Sequence, residues 1–264
     1  MNDARETFLV GDPHGCLVEL QELLDTIKFD PKKIRLIICG DLIDRGIAGA
    51  EVVQFVRALC EAGNAECVLG NHDEKQIRYR AHTIKCAETG KKHPMRRMSD
   101  NDLEAHNKLT DDDIAWISRL PLTIHIKDNW YALHGGLEPA YPFNRQSKEQ
   151  IIRCRYVSDG KHVTSSGKEI AWGKALSMGK DFAQPPNSMY WAEGWIGPEQ
   201  IIFGHFVSDF EKPYVMEHKN GTKCIGIDTG CVFGGRLSGY FLERNEFVQV
   251  KAKREYYKMT KGEE

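Results

Sequence analysis

Short apolar runs separated by helical patterns form the first third of the chain. Runs 8–10, 34–39 and 66–69 are rich in branched aliphatic side chains and each is followed by a glycine, which is typical of buried strands. Between them, apolar residues recur at helical spacing over 17–27 and 52–59. Strands that alternate with helices predict a parallel βαβαβ start with right-handed crossovers.

Three further apolar runs, 130–133, 200–203 and 224–227, predict additional strands. Asn220-Gly221 and Arg244-Asn245 each lie between alternating runs, as hairpin turns do. The pattern therefore predicts an α/β fold that ends in antiparallel strands.

Two long segments lack this regularity. Residues 78–128 are polar and basic, with a helix start at Thr110, and we interpret them as a helical insertion within a single domain of residues 1–264. Residues 138–198 mix Pro, Gly, Ser and Trp, which predicts loops with short helices. The segment from 251 onward is expected to be a frayed, solvated tail.

Composition and charge narrow the class of protein. The 264 residues are 41% hydrophobic and 28% charged, and the 36 basic and 38 acidic residues give a net charge of −2. Without a basic block, we expect no stable nucleic-acid complex. No run approaches the roughly 20 apolar residues that span a bilayer, so we expect no membrane partner and a cytoplasmic protein.

The eight cysteines are scattered, several of them inside apolar runs, and none forms a C-x-x-C pair. This distribution favours reduced thiols in the core over a disulfide framework or a zinc clip.

Polar residues beside glycines follow five of the predicted strands. In an open α/β sheet, ligands bind beyond the carboxyl ends of the strands, so these five ends are expected to converge on one crevice. The motifs are Gly11-Asp12-Pro13-His14, Gly40-Asp41, Gly70-Asn71-His72-Asp73, His134-Gly135-Gly136 and Gly204-His205.

Carboxylate, amide and imidazole groups without a thiolate suit manganese, zinc, iron or cobalt. Six such donors are too many for one tetrahedral ion with an open position, but they suffice for two ions that share a carboxylate. Two ions about 3.5–4 Å apart clamp a phosphate and lower the pKa of a bridging water, which then serves as a hydroxide nucleophile.

The ordered motif set resembles that of the PPP-type metallophosphatases of the calcineurin-like phosphoesterase superfamily. This group includes serine/threonine protein phosphatases and symmetrical diadenosine tetraphosphatases. The resemblance extends from residue 8 to about residue 240 and leaves the segments 78–128 and 138–198 uncovered. It implies a central mixed β-sandwich flanked by helices and two divalent metal ions, manganese first and zinc, iron, cobalt or nickel as alternatives.

The resemblance also implies roles for individual residues. The first metal would be bound by Asp12, His14 and Asp41, and Asp41 would bridge to a second metal held by Asn71, His134 and His205. Asp73 is interpreted as a helix-start residue.

His72 matches the general acid of the family, and Asp44 matches the carboxylate that orients it. Arg45 matches a phosphate-binding arginine, and Asn71 is expected to contact the phosphate as well. A second phosphate-binding arginine is expected among Arg145, Arg153 and Arg155, with Arg155 as the favoured candidate.

Features of the sequence point to two substrates. The segment Asp44-Arg45-Gly46 resembles the protein phosphatases, and a general acid benefits a serine alkoxide more than a nucleoside diphosphate. The C-terminal stretch GIDTGCVFGGRLSGYFLE instead resembles the dinucleotide hydrolases, and Asp73 replaces the usual glutamate of protein phosphatases.

We therefore expect a two-metal phosphoester hydrolase, with a serine/threonine protein phosphatase favoured and symmetrical dinucleoside tetraphosphate hydrolysis as the alternative. Its partner would be a phosphorylated protein or a nucleotide. A nucleotide or polynucleotide phosphatase and a non-catalytic phosphate-binding module are weaker hypotheses.

Overall fold

A computed structural model of the chain describes residues 4–163, 169–176 and 184–258. The helices are α1 Leu17–Thr26, α2 Gly49–Glu61, α3 Asn71–Thr89, α4 Asp100–Lys108, α5 Asp111–Ser118, α6 Lys148–Arg153 and α7 Trp191–Gly194. The strands are β1 Glu6–Val10, β2 Ile34–Ile38, β3 Ala65–Cys67, β4 Thr123–Lys127, β5 Trp130–Leu133, β6 Tyr156–Ser158, β7 His162–Val163, β8 Glu169–Ile170, β9 Ala175–Leu176, β10 Ser188–Tyr190, β11 Gln200–Phe203, β12 Tyr214–Glu217, β13 Lys223–Gly226, β14 Asp228–Thr229, β15 Arg236–Phe241 and β16 Glu246–Lys251.

The first sheet has the strand order β14-β15-β1-β2-β3, and β16 pairs with β15. Strands β1, β2 and β3 are parallel, as the alternating pattern predicted. Strand β15 lies antiparallel to β1 and continues through a turn at Asn245 into β16, which confirms the predicted hairpin.

The second sheet has the order β12-β13-β11-β5-β4. Its three central strands are parallel, whereas β4 and β12 lie antiparallel at the two edges. The predicted turn at Asn220-Gly221 joins β12 to β13. A small antiparallel sheet, β10-β6-β9, and the β7-β8 pair complete the described strands.

The two large sheets pack face to face. On β1, Leu9 points into the layer between the sheets, whereas Phe8 and Val10 belong to the core on the side of α1 and α2. The side chains of β11 also alternate between the two faces, and Ile202 points into the layer between the sheets. Because both faces of these strands are buried, their sequences are continuous apolar runs. The structure confirms the mixed α/β sandwich flanked by helices.

The predicted insertion, residues 78–128, begins inside α3 and contains α4 and α5. It also contains β4, which the sequence analysis did not predict. In β4 only Ile124 and Ile126 are buried, so this short edge strand has too few apolar residues to stand out within a polar segment. The segment 138–198 contains α6 and α7, as predicted, but also short strands that the pattern missed.

The prediction of a frayed tail from residue 251 is wrong for 251–258. The main-chain N–H groups of Tyr256 and Tyr257 both donate to the carbonyl of Val232, and the N–H of Lys253 donates to the carboxylate of Glu19. Residues 259–264 lie outside the described residues.

All eight cysteines are free thiols, as the sequence analysis predicted. Among the residues that the structure describes, no helix combines the length and the apolar character needed to cross a membrane.

Candidate metal centre

The polar residues that follow five parallel strands meet at one edge of the sandwich. The N–H of Gly204 donates to the carbonyl of His134 within the second sheet. Nδ1 of His134 faces the carbonyl of Cys39, which follows β2, at 2.8 Å, and this contact joins the two sheets. The converging side chains are buried apart from the half-buried Asn71: Asp12, His14, Asp41, Asn71, His72, His134 and His205.

Asp41 lies at the centre of this group. Its Oδ2 is 3.4 Å from Nε2 of His14 and 3.3 Å from Nε2 of His134. Two clusters have all their donor atoms within 4.8 Å of one another: Asp41 with His14 and His72, and Asp41 with His134 and His205. A carboxylate that belongs to both clusters has the position that a ligand shared by two ions requires.

Asp12 provides a test of whether the site fits a cation. Its Oδ2 accepts from the N–H of His205 at 2.8 Å, but its buried Oδ1 has no hydrogen-bond partner. Burial and the nearby charges of Asp228 and Asp41 raise the pKa of Asp12 above its usual range. A cation would compensate this unpaired buried oxygen. A Cβ at Gly204 would collide with the same carboxylate, so the close approach needs glycine.

Main-chain carbonyls orient the imidazole rings. Nδ1 of His14 faces the carbonyl of Ile43 at 2.9 Å, as His134 faces Cys39, and Nε2 of His205 lies 3.3 Å from a carbonyl. An imidazole that donates one N–H in this way presents its other nitrogen as an acceptor, which is the usual arrangement of metal-binding histidines. The three rings are therefore suited to hold metals.

Two half-buried arginines lie against different members of the donor set. Arg45 donates from Nη1 to Nε2 of His14 at 2.8 Å. Arg155 places Nη2 3.4 Å from Nδ1 of His205. Guanidinium groups at these two places add positive charge for the non-bridging oxygens of phosphate.

The structure separates the three candidates for the second arginine. Arg153 forms ion pairs with Glu74 and, at 2.8 Å, with Glu149. Arg145 is exposed and belongs to a short 3₁₀ turn. The guanidinium of Arg155 instead lies against His205, a predicted metal ligand, which supports the choice of Arg155.

His72 and Asp44 form the predicted pair. Nδ1 of His72 is 2.8 Å from Oδ2 of Asp44, which also accepts from Nζ of Lys75 at 2.7 Å, while Oδ1 accepts from the amide of Gln76. Burial, followed by the positive charge of Arg45, lowers the pKa of His72 well below its usual range. The carboxylate thus has three donors that hold it against the ring.

The backbone of the site is strained. Among the described residues, nine residues other than glycine have positive φ angles, and five of these belong to the predicted site. Such conformations cost about 1 kcal/mol or more each and persist where surrounding contacts impose them. The five are His14, Asp41, Asp44, Arg45 and His205.

Asp73 does more than the sequence analysis assigned to it. It caps the start of α3, as predicted, by accepting from the N–H of Gly70 at 3.0 Å. The same carboxylate accepts from the N–H groups of Asp41 and Leu42, so it also fixes the backbone of the central ligand. Burial and the charge of Asp41 raise the pKa of Asp73 to about 7.

Asp102 is a residue whose role the sequence did not reveal. It lies on α4, in the predicted insertion, and its Oδ1 accepts from the N–H of Arg45 at 2.7 Å. Its Oδ2 accepts from Nζ of Lys75 at 3.2 Å. An acidic residue in a polar segment carries no signal that it will hold a distant loop.

The fold and the site together are those of a metal-dependent phosphoester hydrolase. Residues 7–208 match the family model described as calcineurin-like phosphoesterase, and the chain belongs to this family. The resemblance seen in the five motifs is thereby confirmed, as is the need for divalent metal ions.

The sequence relatives are named as tetraphosphatases. The symmetrical bis(5'-nucleosyl)-tetraphosphatase of Methylococcus capsulatus is 28% identical over 89% of this chain and 91% of its own length. The symmetrical enzyme of Erwinia tasmaniensis is 29% identical over 94% of this chain and 98% of its own length. The asymmetrical bis(5'-nucleosyl)-tetraphosphatase PrpE of Oceanobacillus iheyensis is 27% identical over 94% of this chain and 93% of its own length.

Solved structures agree with the fold. A crystal structure named provisionally as a diadenosine tetraphosphatase matches with a TM-score of 0.67 and 26% identity over 95% of both chains. A serine/threonine phosphatase from Saccharomyces cerevisiae matches with a TM-score of 0.56, but at 14% identity over 96% of this chain and 81% of its own this likeness concerns the fold alone.

Proposed function

We propose that this hydrolase cleaves dinucleoside tetraphosphates symmetrically, with two divalent cations at the site around Asp41. The structural observation that carries the two-cation part is the position of Asp41, whose Oδ2 lies 3.4 Å from Nε2 of His14 and 3.3 Å from Nε2 of His134, the proposed ligands of different ions. The substrate part rests on relatives named as tetraphosphatases that align over most of both chains. This substrate was the alternative in the sequence analysis, and it now has better support than the protein phosphatase.

The donor set suits manganese, with zinc, iron, cobalt or nickel as alternatives, because it consists of oxygen and nitrogen ligands. We assign Asp12, His14 and Asp41 to one ion, and Asp41, Asn71, His134 and His205 to the other. When bound, such ions polarise a phosphoryl group and lower the pKa of a bound water.

Arg45 and Arg155 are assigned to the phosphate chain. Each guanidinium already lies against a predicted metal ligand, His14 in one case and His205 in the other. A tetraphosphate carries charge along its whole length, so two separate cationic groups match it better than they match one phosphoryl group. Asn71 offers its amide at the half-buried rim of the same cleft.

His72 is assigned to the leaving group. Its Nδ1 is held by Asp44, so its Nε2 is the ring atom that can face the scissile oxygen and carry a proton to it. Asp44 would keep the ring in this tautomer and orientation, and it contacts no substrate itself.

A serine/threonine protein phosphatase is the second candidate. The observation that favours it is the intact pair of His72 and Asp44, because an alkoxide leaving group gains more from a general acid than a nucleoside diphosphate does.

The proposed function is tested by product analysis. Protein loaded with Mn²⁺ is incubated with diadenosine tetraphosphate, and the nucleotides are separated by chromatography. We expect only adenosine diphosphate. Equal amounts of adenosine triphosphate and monophosphate would indicate asymmetrical cleavage and refute the symmetrical assignment. No nucleotide product from protein that still hydrolyses p-nitrophenyl phosphate would refute the substrate.

The arginine assignment is tested in the same assay. Arg155→Ala is expected to lower kcat/KM by about 10–100-fold, because a hydrogen bond to a charged group contributes about 1.5–3 kcal/mol. The matched control is Arg145→Ala, since Arg145 is exposed in the same region of the chain. Equal rates for the two variants would contradict the role of Arg155.

A further inference from the structure

Three buried side chains from distant parts of the chain meet beside the candidate metal centre. The thiols of Cys16 and Cys231 and the carboxylate of Glu19 have ligand atoms that all lie within 4.8 Å of one another. Cys16 and Cys231 are each 1% exposed, and Glu19 is fully buried. None of the three belongs to the donor set around Asp41.

The carboxylate of Glu19 is only half satisfied. Its Oε1 accepts two hydrogen bonds, from the N–H of Lys253 at 2.8 Å and from the hydroxyl of Tyr256 at 2.7 Å. Its Oε2 is buried and has no hydrogen-bond partner. Burying an unpaired carboxylate oxygen is unfavourable, and a cation bound by this carboxylate and the two thiols would compensate it.

Two of the three side chains lie at the start of α1. Cys16 is the N-cap of α1, where no side chain caps the helix, and Glu19 lies in the first helical turn. Cys231 approaches this helix end from a 3₁₀ turn, Cys231–Phe233.

We propose that Cys16, Glu19 and Cys231 bind one zinc ion at a site separate from the two-metal centre. Zinc binds thiolate and carboxylate ligands, and three protein donors would leave one tetrahedral position open, as in zinc sites that hold a water molecule there. The centre around Asp41 has only oxygen and nitrogen donors, which suit harder ions such as manganese. The two sites would therefore select different metals.

A zinc ion at this place would join three parts of the molecule. Cys16 directly follows the loop that carries Asp12 and His14. The turn that begins at Cys231 accepts hydrogen bonds at Val232 from the C-terminal segment, and this segment also donates to Glu19. The ion would thus stabilise the loop that carries Asp12 and His14.

Cobalt spectroscopy tests the proposal without an activity assay. Metal-free protein is titrated with Co²⁺, and the near-ultraviolet charge-transfer band of sulfur-bound cobalt is recorded. We expect a band that saturates at one Co²⁺ per chain. The band should persist in His134→Ala, because the proposed ligands of the two-metal centre carry no sulfur.

Variants identify the sulfur ligands. Cys16→Ser and Cys231→Ser are each expected to lose the band, and the matched control Cys154→Ser, a buried cysteine of another core, should keep it. Glu19→Gln keeps both thiols and is expected to bind Co²⁺ more weakly. If a serine variant does not fold, the Glu19→Gln titration and the zinc content of the wild-type protein by native mass spectrometry decide the question.

The proposal is overturned if folded wild-type protein binds Co²⁺ without a charge-transfer band. It is also overturned if the band survives in both serine variants, or if the isolated protein carries a disulfide between Cys16 and Cys231 instead of zinc.

Discussion

His72 and Asp44 are joined by a 2.8 Å hydrogen bond between Nδ1 and Oδ2, and Asp44 has no exposed surface. The carboxylate is held from behind by Lys75 and Gln76, both on α3. Because α3 also begins with Asn71 and His72, one rigid helix positions the ring and two of the donors to its carboxylate. The proposed acid thus has a single orientation towards the cleft.

His72→Asn is expected to lower the rate on alkyl phosphomonoesters by about 10²–10⁴, the usual contribution of a positioned acid. Aryl phosphates should lose less, because a phenolate leaves without help. Steady-state rates on phosphoserine and p-nitrophenyl phosphate measure the difference. Equal losses on both would show that His72 does not act as an acid.

Asp41→Asn removes the charge that the two donor clusters share. The variant is expected to bind less than one Mn²⁺ per chain where the wild type binds two, and to lose most of its activity. Metal analysis after loading with Mn²⁺ and gel filtration measures the stoichiometry. The exposed helix residue Asp25, changed to Asn, is the control. An Asp41→Asn variant with full Mn²⁺ content would refute the shared position.

Asp102→Ala tests whether α4 positions the phosphate-binding loop. Loss of the acceptor for the N–H of Arg45 should lower kcat/KM by about tenfold or more, since a hydrogen bond of this kind contributes about 1.5–3 kcal/mol. Asp102→Asn retains an acceptor oxygen and should restore part of the rate. Asp100→Ala, an exposed change on the same helix, is the control. A loss of thermal stability with an unchanged kcat/KM would mean that Asp102 has a structural role only.

His106 makes the stability of the fold depend on pH. Its Nδ1 lies 2.6 Å from the amide oxygen of Gln76, and its Nε2 accepts from Arg80. Burial and the charge of Arg80 lower its pKa from 6.5 to about 4, and the other charged or titratable groups near it are Asp44, His93 and Lys75.

Between these two pKa values the unfolded chain binds more protons than the folded protein, so this contribution to stability is lost as the pH falls from about 6.5 towards 4. His106→Gln should therefore reduce the drop in Tm between pH 7 and pH 5. His125→Gln, at an exposed site, should leave the drop unchanged. Differential scanning fluorimetry measures both, and identical drops in wild type and His106→Gln would contradict the assignment.

The sequence predicted the buried strands that carry the site and the residues at their ends because both depend on local patterns. Leu9 and Ile37 lie in strands that are buried on both faces, whose apolar runs are easy to recognise. Asp12 and Asp41 were found because glycine and a polar residue recur after each strand. The regular strands and the proposed metal ligands could therefore be predicted from local sequence patterns.

The contacts that the sequence did not reveal depend on residues far apart in the chain. Asp102 holds Arg45 from the insertion, and Tyr256 reaches Glu19 from a segment expected to be frayed. Neither has a periodicity or a motif of its own. Strand β4, with two buried residues, is similarly defined by its pairing with β5 rather than by its own pattern.

The most direct test of the proposed function compares substrates on one preparation. The kcat/KM values for diadenosine tetraphosphate, a phosphothreonine peptide and a nucleotide 3′-phosphate are measured in the same buffer with Mn²⁺. We expect the value for diadenosine tetraphosphate to exceed both others by at least about tenfold, or about 1.4 kcal/mol in the activation free energy. A phosphopeptide that is hydrolysed with the higher kcat/KM would contradict the proposed substrate.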